Sequence, residues 1–544
     1  MTLRARHVAV LILFLCALLY LPRLGSTTFF EEDEPRFAAA VRTMLETGDY
    51  VTPRFNGQLR INKPILFYWL SAASSAALGV GELGARLPSA LLGTALALLV
   101  FLFARAHGSV RFAAIAAVAT ATCLQFSLVL ARAATADMAL IFFLTGALLA
   151  FYHGTTRPGE KRWFLLSWAA LGLAALAKGP VAVALAGGVV GLFLLLRGEA
   201  LPGLRRLVTP VGLLLFLLVA APWYAAELAL WGKTFYRGFF LAEHFGRLDG
   251  TADSHRGPIW FFLPVMLGMF YPWVCFLPAG LSGAWRERRG AAPLRLFALC
   301  WIVVVLGLFT VVKTKLPHYI APLYPAAALL AASAWETRLS GVETRTWRVS
   351  ERVLAWWGGV FVLAPVAGAF LGPWLLMDTT GGLLVTVGPG PAALAACFAL
   401  GWAGALLLLA RRRPGSALGV LITTLVGAAL VAHLMVAPVI ARHWQDPLRH
   451  LAEDAAARAG DRGRLALFAC ASSGVIYYSR SVVPRLRAED TGRLRALAAR
   501  SPLYVITRVK RAPLLPRSLG LREVRRESGF VLLGSEQEAG GGRQ

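Results

Sequence analysis

The stretch 29-FFEEDEPRFAAAVRTMLETGDYVTPRFNGQLRINKPILFYW-69 decides how the rest of the chain is read. It follows one apolar run and precedes a long series of others. Glu31, Glu32, Asp33 and Glu34 stand in succession, followed by Arg36 and Arg42, a turn at Gly48 and Asp49, and Lys63-Pro64 ahead of aromatics. Charged groups are expensive at a bilayer surface unless they are paired or used, and a plain loop between spans needs no such concentration of them. Phe37, Val41, Met44 and Leu45 fall at three- and four-residue spacing, the period of an amphipathic helix, and Gly48 reads as its C-cap. The spacing predicts a short helix along the membrane face with Asp33, Glu34 and Arg36 at its start.

Outward from this stretch the chain is apolar. It has 544 residues, 57% of them hydrophobic, and a mean hydropathy of +0.63. Repeated apolar runs of about 20 residues are what spanning helices require, so an ordinary soluble protein is excluded. Fourteen candidates run from 8–24, a retained first span with the N-terminus inside, to 415–440. The formal charge of +26 comes from arginine. It collects in hinges such as Arg105 and Arg111, Arg157 to Arg162, and Arg411 to Arg413, which the positive-inside rule places in the cytoplasm. That excess also suits anionic lipid or phosphate, whereas basic residues scattered over many short hinges argue against nucleic acid.

Charge parity holds only if 64–80, with its three serines and interfacial Tyr68 and Trp69, lies in the membrane plane as a second such helix. Thirteen spans then remain. The outer face receives 25–85, 131–136, 178–179, 226–257, 313–316, 377–390 and everything after 440, and these segments hold most of the mixed polar residues. Five of the six cysteines lie in apolar runs and none forms a CxxC, which reads as packing. The expected fold is therefore an all-α polytopic membrane domain over 1–441. A small α/β domain over 442–544 follows, with apolar runs at 465–469, 503–509 and 530–534 and helical stretches at 447–459 and 488–500.

Several residues of the outer face are candidates for chemistry. Acids at a helix N-terminus are favoured by the dipole, which explains one of Asp33 and Glu34 but not a cluster beside Arg36. Lys63, at headgroup depth, suits a lipid phosphate. Asp137 at the border of a span is a site candidate by default, and pairing with Arg132 is its structural alternative. Lys178 precedes Gly179-Pro180, where the helix dipole alone accounts for it. The segment 239–262 brings His244, Arg247 and His255 in a spacing that fits no zinc pattern, and reads as a cover over substrate. Lys313, Lys315, His318 and Tyr319 lie where a helix begins on the outer face, and two lysines there run against the topology rule, as ligands would.

Taken together, DEPRFA at 33–38, GDYVTPRFNG at 48–57, NKPILFYW at 62–69, RLPSAL at 86–91, the Arg132/Asp137 segment, AKGP at 177–180, EHFGR at 243–247 and KLPHYIAPLYP at 315–325 resemble the polyprenyl-phosphate-dependent, membrane-embedded glycosyltransferases of the GT-C class. The nearest likeness is to the lipid A aminoarabinose transferase family, with the protein O-mannosyltransferases more distant. The resemblance implies a catalytic acid at Asp33, a donor-phosphate group around Arg36, Lys63 and Tyr319, and a second important acid at Asp137. It departs at Phe37, where the family often has tyrosine, and at Asn62, where it often has glutamate.

The implied reaction is inverting transfer of a monosaccharide from a polyprenyl phosphate donor to a lipid A-like glycolipid at the outer face of a bacterial inner membrane. A monomer is expected. No cofactor is required for departure of a phosphate, and a divalent metal is left open. A protein or polysaccharide hydroxyl is the alternative acceptor. A lipid-linked sugar transporter is the remote alternative, and the absence of internal repeats speaks against it.

Overall fold

The computed structural model describes residues 3–157, 159, 161–245, 257–290, 293–360, 363, 389–460 and 463–535. The chain is largely helical. Helix α1 (Leu3–Tyr20) leads into α2 (Asp33–Thr47), the helix expected from the opening stretch. Phe37, Val41 and Met44 are buried as their spacing requires. Gly48 stops the helix at φ 73°, its N–H donating to Met44 O, a left-handed cap in which glycine carries no Cβ penalty. A two-residue hairpin, β1 (Arg54–Phe55) and β2 (Gln58–Leu59), precedes α3 (Leu66–Leu78). At 13 residues, α3 is too short to cross a bilayer upright.

From α4 (Glu82–His107) onward the chain is a multi-pass membrane bundle. Among the described residues seven helices are long and apolar enough to cross, nine if each of two bent pairs is one span. Both bent pairs correct straight spans expected from sequence. The run 112–130 is α5 (Val110–Ala121) and a second piece, Gln125–Arg132, turned by 48°. The run 258–280 turns by 103° between Phe262–Met269 and Trp273–Gly280, because Pro272 has no N–H to continue the first helix. Most of the candidate 353–376 lies outside the described residues. Helices α6 (Asp137–Thr156), α7 (Arg162–Lys178) and α8 (Pro180–Arg197) pack as successive antiparallel neighbours, so the start of α6 and the end of α7 lie at the same face.

The C-terminal part builds a mixed five-stranded sheet in the order β4-β3-β5-β7-β6. The strands are β3 (Arg464–Phe468), β4 (Arg485–Leu486), β5 (Leu503–Arg508), β6 (Leu521–Glu527) and β7 (Phe530–Ser535). β3 runs parallel to β4 and β5, and β7 is antiparallel to β5 and β6. Leu467, Ile506 and Leu532 meet helix Asp446–Ala459 in one core, and Phe468, Leu486 and Val505 meet Leu494 in another.

This unit is clamped onto the stretch that opens the sequence. Glu31 accepts from Ser472 Oγ at 2.5 Å and from the N–H groups of Ser473 and Gly474 at 2.9 and 2.5 Å. Tyr478 Oη accepts from Phe29 N–H at 3.0 Å and donates to Glu82 at 2.7 Å. Asn56 pairs with both backbone groups of Val483.

Candidate active site

Two adjacent acids of α2 meet opposite fates. Glu34 is buried and has both oxygens occupied. Its Oε1 accepts from Arg86 Nε at 2.8 Å and Ala134 N–H at 2.7 Å; its Oε2 accepts from Arg86 Nη2 and Phe30 N–H, both at 2.8 Å. Arg86 spends its remaining donors on the carbonyls of Leu24, Thr27 and Thr28. Glu34 thus ties α2 and the loop before it to α4 and to the loop at Ala134, a structural commitment in place of the expected catalytic role. Asp33 is more than half exposed, and its one ion-pair approach among the described residues is to Arg36 at 4.0 Å.

Other candidates are likewise committed to backbone. Arg132, expected beside substrate or paired with Asp137, donates to the carbonyls of Tyr20 and Pro22 at 2.6 and 2.7 Å, at and just past the end of α1. Lys315 donates to the carbonyls of Phe309, Thr310 and Val312 at 2.9–3.2 Å. It caps helix Leu294–Val311, where a cation complements the dipole, and burial lowers its pKa. Neither is placed as a ligand. Lys313 is exposed. Arg36 pairs with Glu32 and donates to Ser473 Oγ at 3.0 Å, tying it to the C-terminal sheet unit.

The remaining candidates converge. Lys63, Asp137, Lys178, His318 and Tyr319 all line one cavity of about 470 Å³, together with Glu243. Asp137 begins α6 and Lys178 ends α7, each at the helix terminus whose dipole suits its charge, and the antiparallel packing brings them to 2.5 Å. Gly179, at φ 75°, makes the turn from Lys178 into Pro180. Lys178 Nζ lies 5.8 Å from the centre of the Tyr319 ring. Lys63 pairs with Glu243, which lies in the segment Tyr236–Phe245 that ends the long helix from Pro210. The rest of the wall is apolar: Leu140, Ile141, Val181, Ala184, Leu308, Phe309 and Val312. The side chain of His244, and Arg247 and His255, lie outside the described residues. Among the described residues no three His, Cys, Asp or Glu side chains converge as a metal site would require.

Sequence reasoning missed Glu243 as the partner of Lys63, 180 residues away. It also missed Arg60, buried on the ring of Phe37, although Arg60 stands only three positions before Lys63. Arg60 Nε donates to Tyr68 Oη at 2.7 Å. Burial raises the Tyr68 phenol pKa, Arg60 draws it back down, and the charges of Asp33 and Glu243 raise it further.

The model of the dolichyl-phosphate-mannose-protein mannosyltransferase family matches residues 62–225, the part of the chain that holds Lys63, Asp137 and Lys178. The crystal structure of ArnT from Cupriavidus metallidurans bound to undecaprenyl phosphate superposes with a TM-score of 0.76 at 23% identity, covering 98% of this chain and 99% of that one. The fold is that of this ArnT. The undecaprenyl phosphate-alpha-4-amino-4-deoxy-L-arabinose arabinosyl transferase of Aeromonas salmonicida is 33% identical over 64% of this chain, and that of Serratia proteamaculans 29% identical over 66%. The chain aligns with 63 and 64% of the length of these relatives, somewhat under two thirds. The aminoarabinose transferase likeness expected from eight short motifs therefore extends, as a fold, over nearly the whole molecule.

Proposed function

We propose that the protein is an inverting glycosyltransferase that moves a monosaccharide from undecaprenyl phosphate to lipid A or a related envelope glycolipid. One observation carries the reading: two lysines and a tyrosine stand in the same cavity as a long apolar wall, which suits a phosphate with a polyprenyl tail. The relatives named above are transferases of this kind, and the mannosyltransferase family model supports the same chemistry.

Lys63, Lys178 and Tyr319 take the donor phosphate and stabilise the charge that grows on it as the C1–O bond breaks. Their salt bridges to Glu243 and Asp137 hold the ammonium groups in place beforehand, so little reorganisation is left for the transition state. The same two carboxylates offer a cationic amino sugar its counter-charge. The acceptor attacks C1 from the face opposite the leaving phosphate, and the exposed Asp33 is assigned to that face. A hydroxyl acceptor on a protein or polysaccharide is the second reading, favoured by the exposure of Asp33 as an available base.

Thirteen spans, with the site and the C-terminal sheet unit on the periplasmic side of the inner membrane, complete the proposal. An impermeant thiol reagent applied to intact spheroplasts should label Ser528→Cys; labelling only after lysis reverses the orientation. The activity is tested with purified protein, a polyprenyl-phosphate amino sugar and lipid A. Release of polyprenyl phosphate with a matching mass gain on the lipid is expected, and Lys63→Ala should abolish most of it. No release with any acceptor overturns the proposal.

A further inference from the structure

Arg60 is only 7% exposed, yet its charge is barely answered. A guanidinium has five N–H donors. One, on Nε, meets Tyr68 Oη, and the plane rests over the Phe37 ring with its centre 4.9 Å away. Among the described residues no carboxylate pairs with it, and the four Nη donors make no hydrogen bond. Neither Nη is a fully enclosed orphan, unlike Arg338 Nε, so both remain reachable. Arg86, 2% exposed, has a bidentate carboxylate and three carbonyls. A buried charge left without any partner is strongly destabilising; Arg60 avoids that cost because its Nη groups stay open to water, and their being kept open needs a reason. Two residues on, Asn62 Oδ1 is also enclosed without a partner.

Position supplies the reason. Phe37 lies one helical turn after Asp33, and the Tyr68 hydroxyl that holds Arg60 is within electrostatic reach of both Asp33 and Glu243. Arg60 is not among the residues that line the lysine-bearing cavity. With the leaving phosphate on Lys63 and Lys178, displacement with inversion brings the second substrate in from the opposite face, the one assigned above to Asp33.

We infer that Arg60 is a substrate-binding residue whose two free Nη groups grip a phosphate of the acceptor, an inference that rests on the transfer reading above. Planar, bidentate recognition of phosphate is what arginine does best. An acceptor that arrives anionic needs no general base, so the residue also selects phosphate over hydroxyl acceptors.

The test uses full-length protein in nanodiscs with one donor and two acceptors, lipid A and the same lipid stripped of phosphate by a phosphatase. Arg60→Gln should raise KM for intact lipid A about 10–100-fold. The stripped lipid should accept no sugar, the donor KM should stay unchanged, and Arg60→Lys should restore part of the loss. A fall in kcat or in thermal stability with the KM for lipid A unchanged makes Arg60 a packing residue, a raised donor KM puts its anion on the donor, and transfer to the stripped lipid at the rate of intact lipid A removes the phosphate from recognition; each overturns the inference. Absence of polyprenyl phosphate release by the wild type with both acceptors overturns the transfer reading instead, and the inference with it.

Discussion

The clasp around Glu34 and the cavity around Lys63 lie at opposite ends of one 41-residue stretch and contain the same kinds of side chain. In the clasp each oxygen of Glu34 and each nitrogen of Arg86 meets a protein partner. In the cavity, Lys63 and Lys178 each face one carboxylate while standing at an open, mostly apolar space. Charge alone does not mark function in this molecule. What separates the two regions is that the clasp is closed in the core, whereas the charges around Lys63 stand at a cavity with an apolar wall.

The largest effect expected from breaking this contrast lies in the clasp. Glu34→Gln leaves Arg86 buried without its counter-charge, a loss of about 3–5 kcal/mol. Thermal unfolding in detergent should shift far down or the protein should fail to accumulate. A stable, correctly folded variant with lost turnover would return Glu34 to the catalytic list. Next comes Asp33→Asn, which should leave unfolding unchanged. If Asp33 is the base for a hydroxyl, turnover falls by about 10²–10⁴-fold and the acid limb of the pH-rate profile disappears. With a phosphate acceptor, turnover falls for want of charge, but the limb persists.

A smaller effect is expected where the sheet unit meets the stretch. A Cβ on Gly474 stands 2.7 Å from Glu31 Oε1, so Gly474→Ala should cost about 1–3 kcal/mol of local packing. Limited proteolysis should then release the C-terminal unit while the bundle stays intact; unchanged resistance would show that Glu31 yields freely. The mildest perturbation is pH. Burial pushes the Tyr477 phenol up to about 12 from 10.0. A folded pKa above the unfolded one means stability that is whole below pH 10 and is lost as pH rises toward 12. Proteolytic release should therefore begin above pH 10 and come later in Tyr477→Phe.

The fold was legible wherever its causes are local. The period of Phe37, Val41 and Met44 and the stop at Gly48 need only neighbouring residues, as do the β3, β5 and β7 runs. In the candidate site, the charges of Asp137 and Lys178 were legible from their places at helix ends, but their pairing was not, since Arg132 stood nearer in sequence. Glu34 was misread because Arg86 stands 52 residues away, and nothing in EEDE tells which acid turns inward. Lys315 had a visible signal that was passed over: it closely follows an apolar helix, where a lysine meets carbonyl ends. Arg60 carries no sequence mark at all, since an exposed arginine on a hairpin reads identically.

The clamp on Glu31 joins residues 441 positions apart. A ribosome delivers the acidic stretch early and Ser472 only near the end, after the spans have been threaded into the membrane. Throughout synthesis that stretch waits without its hydrogen-bond partners. A chain cut short before Ser472 can be inserted and still lack the three donors that hold Glu31, so the order of synthesis makes the acidic stretch the last of the early segments to be fixed.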